Sequence, residues 1–295
     1  MLLLKCKKRV LHFNLIIVLF ETVSSTNVDY KNKEIKEKYC KKCLQQTGKE
    51  KLMYCNKCPI LKNAVSLNLL SSEDILDENN MTNWSSTILL SNYTNFNYNE
   101  IENLIVFGDS HSAIGTNYTD MTYTGRNHSG GKNWPLYLKE FNNMKLWNYA
   151  KSSAPIHEKI YYNRTIDLKM QYNYFNNNTS KGNKFYKELN KNNSLFIFWF
   201  GTIDIGFRKY NYETVEELAE NFFNIIEKMY DSDAINIMIL GAPPLYRIPS
   251  RRHFNVCKGI LDENCIKYLK NEVLTFNNEI IKNLKNFFKN IQIQI

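Results

Sequence analysis

Four short apolar runs, each set off from the next by polar or amphipathic chain, constrain this sequence more than any other feature. Leu104 to Phe107 runs into Gly108, Lys145 to Ala150 is the second run, Leu195 to Phe200 stops at Gly201, and Ile235 to Leu240 stops at Gly241-Ala-Pro-Pro. Continuous apolar runs of this length are the pattern of strands buried on both faces. Val215 to Tyr230 places Val215, Leu218, Phe222, Ile225, Ile226 and Met229 at helical spacing, so it reads as an amphipathic helix lying on the sheet. A long helix is expected from about Asp262 to Lys289, and the closing IQIQI alternates like the start of another strand. Strand and helix alternate, which predicts an α/β chain with a three-layer parallel sheet.

The first residues read differently. Lys5, Lys7, Lys8 and Arg9 precede an apolar run from Val10 to Phe20, and Val23, Ser24 and Ser25 follow, the layout of a secretory signal peptide over residues 1–25. The run is too short to span a bilayer in the mature chain, so no stable membrane association is expected after cleavage; an uncleaved anchor is the other reading. Nine N-x-S/T sequons, at Asn80, Asn83, Asn92, Asn117, Asn127, Asn163, Asn177, Asn178 and Asn192, fit a glycosylated, extracellular protein, although an Asn-rich chain also makes sequons by chance.

Cysteine usage agrees with export. Losing Cys6 with the leader leaves an even set: Cys40, Cys43, Cys55, Cys58, Cys257 and Cys265. The two C-x-x-C pairs suit a tetrahedral zinc site in a cytosolic chain and disulfides in an oxidising compartment; the leader favours disulfides and no metal, with Cys257 and Cys265 as one local pair. Residues 26–62 carry ten lysines against four acids, and the chain from residue 63 onward sums to zero, so the formal charge of +9 is no footprint of a nucleic-acid groove. That basic module reads as a solubilising or acid-binding appendage. Residues 63–100, polar and sequon-rich, read as a glycosylated linker to a main domain over 101–295.

Ligands of parallel α/β sheets bind beyond the carboxyl ends of the strands. The turn after Leu104–Phe107 is Gly108-Asp109-Ser110-His111, and a serine there can present its hydroxyl to a crevice while backbone N–H groups stabilise an oxyanion. A serine after a strand is also an ordinary helix cap.

FGDSHSAIG, then GKNWPLYL (131–138), LWNYAKSSA (146–154), FWFGTIDIG (198–206) and LGAPPLYRIP (240–249), resemble in order and spacing the GDSL or SGNH hydrolase superfamily, with the closest likeness to fungal secreted acetylesterases of carbohydrate esterase family 16. The resemblance implies a flavodoxin-like sheet and a cofactor-free serine esterase acting on acetylated polysaccharide or small ester substrates. It gives Ser110 as nucleophile, Gly108 and Asp109 as its turn, the N–H groups of Ser110 and Ser153 as oxyanion donors, and Gly201 and Asp204 as support. Ser153 stands where the family has glycine. Ile203 stands where it has the asparagine of G-x-N-D, and losing one oxyanion donor typically costs about a hundred to a thousandfold in rate.

The family's C-terminal D-x-x-H is absent from the sequence, which points to a product truncated before the last strand and helix, with one sheet edge uncovered and no general base. His111 reads as a substrate-facing or helix-start residue, His253 as a speculative base, and His128 and His157 have no acidic neighbour to orient them. Trp134, Trp147 and Trp199 line a sugar platform or, for the two within expected strands, fill the core. Two functions stand: a secreted ester hydrolase, or a catalytically inactive relative that binds carbohydrate.

Overall fold

The computed structural model describes residues 14–18, 86–90, 96–157, 166–207, 214–249, 254, 257 and 263–293, of which 14–18, 86–90 and 288–293 are described as backbone. The chain divides into two compact units, Met1–Phe20 with Leu89–Ile295 and Glu21–Ile88. The N-terminal cysteines and the sequons at Asn80, Asn83, Asn92 and Asn163 lie outside the described residues, as does His253.

The strands are β1 (Asn14–Val18), β2 (Ser86–Leu90), β3 (Asn103–Gly108), β4 (Lys145–Asn148), β5 (Ser194–Trp199) and β6 (Asn236–Leu240), in the spatial order β2-β1-β6-β5-β3-β4. The four expected strands are therefore present, with ends moved by one or two residues. They pair in parallel, β3 with both β4 and β5, and β5 with β6. From β3 the chain steps outward to β4 and then crosses back to β5 on the other side of β3, the doubly wound order whose crevice opens where the direction reverses.

All six residues of β3 are buried, which is why its sequence does not alternate. Leu104 and Val106 face a cluster with Ile114, Leu136, Leu146 and Ile197, and Leu136 belongs to helix α1 (Trp134–Phe141). Phe107 stacks on Phe198 at 4.7 Å and meets Phe175 edge-on, so the other face is aromatic. Phe175 belongs to α2 (Leu168–Thr179), and Phe222, edge-on to Phe198, belongs to α4 (Val215–Asp231). Burying each such side chain contributes about 1.5–3 kcal/mol. Helix α4 begins where expected because Thr214 and Glu217 form a reciprocal capping box. A short α3 (Thr202–Phe207) follows β5, and α5 (Glu263–Ile293) packs against α4. Cys257 and Cys265 form the expected local disulfide.

Two expectations are corrected. Residues 291–293 of IQIQI continue α5 rather than begin a strand. Ile280, Leu284, Phe287 and Ile291 keep three- and four-residue spacing, and extending an existing helix adds one hydrogen bond per residue fixed, whereas a new strand needs a partner. The outer edge of β6, expected to lie open, carries β1, with Asn14 opposite Asn236 and Val18 opposite Leu240. Part of the run read as a leader thus has the apolar, β-branched character of a parallel strand, and a strand edge is satisfied by any chain of that kind.

Candidate active site

Gly108 ends β3, and its two polar backbone atoms are fixed from the side. Its N–H donates to Gln171 Oε1 at 3.0 Å, while Gln171 Nε2 donates to its carbonyl at 2.9 Å. A Cβ at this position would lie 2.8 Å from Ser112 Oγ and 2.9 Å from the Trp199 carbonyl, so only glycine lets the strands approach here.

The chain then turns into a single helical turn. The Asp109 carbonyl accepts from the N–H groups of Ser112 and Ala113, and its buried Oδ1 accepts from the His111 N–H at 2.9 Å. Ser110, half-buried, sits at the start of this turn, at the carboxyl end of β3. His111 lies on the open side: its ring Nδ1 donates to the same Asp109 Oδ1 at 2.9 Å, and its face stacks on Trp199 with centroids 5.1 Å apart. The Asp109 hydrogen bond holds the imidazole pKa above its ordinary value, against the opposing pull of burial.

The second wall comes from the loop after β4. Asn148 donates to the Ser112 carbonyl at 2.8 Å and accepts from the Ala150 N–H at 2.9 Å, and the Lys151 N–H donates to the Gly108 carbonyl. The tight turn from Lys151 to Ala154 is thereby held against the serine turn. Ser153 sits in it at φ +63°, the left-handed region where the family's glycine is at ease. A side chain in this backbone region costs about 1–2 kcal/mol relative to glycine, the residue that the resemblance implies here. Ser153→Gly is expected to raise stability by about 1 kcal/mol, read as a higher denaturation midpoint.

The third wall is the turn from β5 into α3. Gly201 has φ +110°, and Ile203, nearly fully buried, fills the place of an asparagine with hydrocarbon. Asp204 is completely buried; its Oδ1 accepts from the Ile156 N–H at 2.7 Å, and its Oδ2 has no hydrogen-bond partner among the described residues. Burial, with Asp109 adding to it, pushes its pKa up to about 7. The folded chain therefore holds this proton to higher pH than the unfolded chain does. That contribution is complete below the ordinary carboxyl value and is lost as pH rises from about 4 to 7, at up to about 1.4 kcal/mol per pH unit. Asp204→Asn keeps the acceptor for Ile156 and removes the proton, so the difference in melting temperature between wild type and variant should shift steadily in the variant's favour from pH 4 to pH 7. A pH-independent difference would refute the buried charge.

Ser110, Ser153 and Gly201 thus lie on the turns after β3, β4 and β5 at one end of the sheet, with Asp204 in the first turn of α3. Trp147 is core, fully buried with Nε1 donating to Asn103 Oδ1, whereas Trp199 and Trp134 are half-buried, with ring centroids 6.2 Å apart. His128 is bonded through Nε2 to Ser152 Oγ at 3.1 Å, in the turn that also holds Ser153. Sequence reasoning missed Gln171 and Asn148 as the braces of the turn. Asn148 lay within a quoted block, but Gln171 sits in a polar helix with no motif around it.

The GDSL-like lipase/acylhydrolase family matches residues 104–290. An acetylesterase of Thermothelomyces thermophilus is 29% identical over 167 residues, covering 50% of this chain and 55% of that protein, so the chain spans little more than half of this relative's length. The matched region begins within β3 and ends within α5, and it contains the turns after β3, β4 and β5. The chain belongs to the GDSL-like lipase/acylhydrolase family.

Proposed function

We propose that this protein is an exported serine ester hydrolase that removes acetyl groups from plant-polysaccharide or acetyl-sugar esters. One observation carries the reading: Ser110 is half-open just beyond the carboxyl end of β3, where the sheet order reverses, with the left-handed Ser153 turn tied beside it. Ser110 Oγ attacks the ester carbonyl, the N–H groups of Ser110 and Ser153 hold the oxyanion, and water then hydrolyses the acyl-enzyme. The acetylesterase relative supports the acetyl group as the acyl part. The leader-like N-terminus, the disulfide and the exposed sequon residues Asn117, Asn177 and Asn192 support export. Asn127, by contrast, spends its amide on the carbonyls of Gly125 and Gly131, and a glycan would displace one of these bonds.

Export bears on the sheet, because cleavage after Ser25 takes β1 away from the β6 edge. The chain recovered from culture medium should begin at Thr26, hydrolyse 4-nitrophenyl acetate and an acetylated xylo-oligosaccharide, and lose this activity in Ser110→Ala. The buried Ile203 favours a second reading, a carbohydrate-binding relative without turnover. Activity no greater than that of Ser110→Ala would establish that reading instead.

A further inference from the structure

The turn that carries Ser110 also carries an imidazole held in the manner of a catalytic histidine. Asp109 Oδ1, its side chain 2% exposed, accepts from both the backbone N–H and the ring Nδ1 of His111, each at 2.9 Å. These two bonds fix the ring's direction and, while the ring is neutral, place its proton on Nδ1, leaving the lone pair on Nε2. Trp199 stacks on one face of the ring, and is itself anchored by Nε1 donating to the Gly241 carbonyl at 3.2 Å. Asn133 Nδ2, from the residue before α1, donates to the His111 carbonyl at 3.3 Å. The His111 side chain is still 39% exposed, so water and substrate reach its free edge. A carboxylate-oriented, half-open imidazole next in sequence to a half-open serine supplies a base and a hydroxyl of the kind that hydrolysis by serine uses.

We propose that His111, oriented by Asp109, is the general base of this site. The proposal rests on the ester-hydrolase reading above. Side chains of successive residues in a helical turn diverge, so the proton travels through one water. As Ser110 Oγ forms its bond to the carbonyl carbon, its proton passes to that water, and the water's own proton passes to His111 Nε2; the carbonyl π electrons move onto the oxygen. When the tetrahedral adduct collapses, the bond to the leaving alcohol breaks, and the alkoxide takes the proton from Nε2. A second water repeats the sequence in reverse, giving up a proton toward Nε2 while it attacks the acyl carbon, and Ser110 recovers its proton as the acyl bond breaks. Of the charged groups, Asp109 acts on the ring directly and also raises the pKa of the buried Asp204; Trp199 from β5 and Asn133 carry no charge.

The test is steady-state hydrolysis of 4-nitrophenyl acetate by the full chain from pH 5 to 9, with thermal denaturation to confirm folding of each variant. His111→Gln is expected to lower kcat at least a hundredfold with KM changed less than threefold, and to remove the acidic limb of the pH profile. Its folding need not be assumed, because the rate of Ser110 phosphonylation in the wild-type chain should itself rise with a midpoint above imidazole's ordinary 6.5. Wild-type kcat and an intact acidic limb in His111→Gln, or a phosphonylation rate flat with pH, would overturn the proposal, as would loss of turnover confined to His253→Gln. In those cases, activity abolished by Ser110→Ala leaves the esterase reading standing. A wild-type chain no more active than Ser110→Ala overturns both.

Discussion

Ile203→Asn should raise kcat for ester hydrolysis by about a hundredfold. Ile203 occupies the third position of Gly201-Thr202-Ile203-Asp204, in the first turn of α3, where the family resemblance puts an amide donor to the oxyanion. In the proposed mechanism the backbone donors of Ser110 and Ser153 leave the developing charge short of a partner, and one donor of this kind is worth about a hundred to a thousandfold in rate. The substitution is smaller than the residue it replaces and puts a polar group at a site 6% exposed, so it should also cost about 1–3 kcal/mol of stability. Rates should therefore be measured well below the melting temperature, with substrate saturating so that kcat is read directly. An unchanged kcat in a folded variant would mean that position 203 does not face the reacting carbonyl.

Gly201→Ala is expected to have the largest effect on folding. At φ +110° the backbone is in a region that residues with a Cβ avoid, and the added Cβ would lie 2.8 Å from Ala242 Cβ and 3.2 Å from Phe276 Cε1. Neither neighbour yields easily. Ala242 is buried and both of its backbone polar groups are bonded to the Asn277 amide, while Phe276 is a fully buried ring of α5. Strain of about 1–3 kcal/mol from the dihedral adds to about 1–3 kcal/mol from overpacking. The denaturant midpoint should fall accordingly, and activity should fall with it, since the turn also places Ile203 and Asp204. A midpoint within error of wild type would show that the β5–α3 turn relaxes at little cost.

The strands that carry the crevice were legible because burial on both faces leaves an unbroken apolar run, and Leu104–Phe107 and Leu195–Phe200 show it without interruption. Ser153 was legible as a glycine surrogate, since the order of the surrounding block fixed its place before φ +63° explained it. Three features were not legible, each for a physical reason. Gln171 braces Gly108 from a helix 63 residues away, and one side-chain amide leaves no periodic mark. The bond from His111 back to Asp109 depends on a ring torsion, which sequence does not encode. Residues 14–18 fit a leader and a strand equally well, because both need a short apolar segment.

The pairing of β1 with β6 also orders events in time. Its partners lie more than two hundred residues apart, and closing a loop of that length costs an unfolded chain about 5 kcal/mol of entropy, against five rungs of parallel ladder. Such a pairing forms after the local contacts are made, and while the first residues are still attached it is expected to be among the first to open. The strands bearing Ser110, Ser153 and Asp204 need no such wait: β3 reaches β4 and β5 by shorter paths, and β5 reaches β6. The reactive end of the sheet is thus assembled early, and β1 joins as a late and reversible addition, so a chain that has shed its first residues keeps the strands on which its crevice is built.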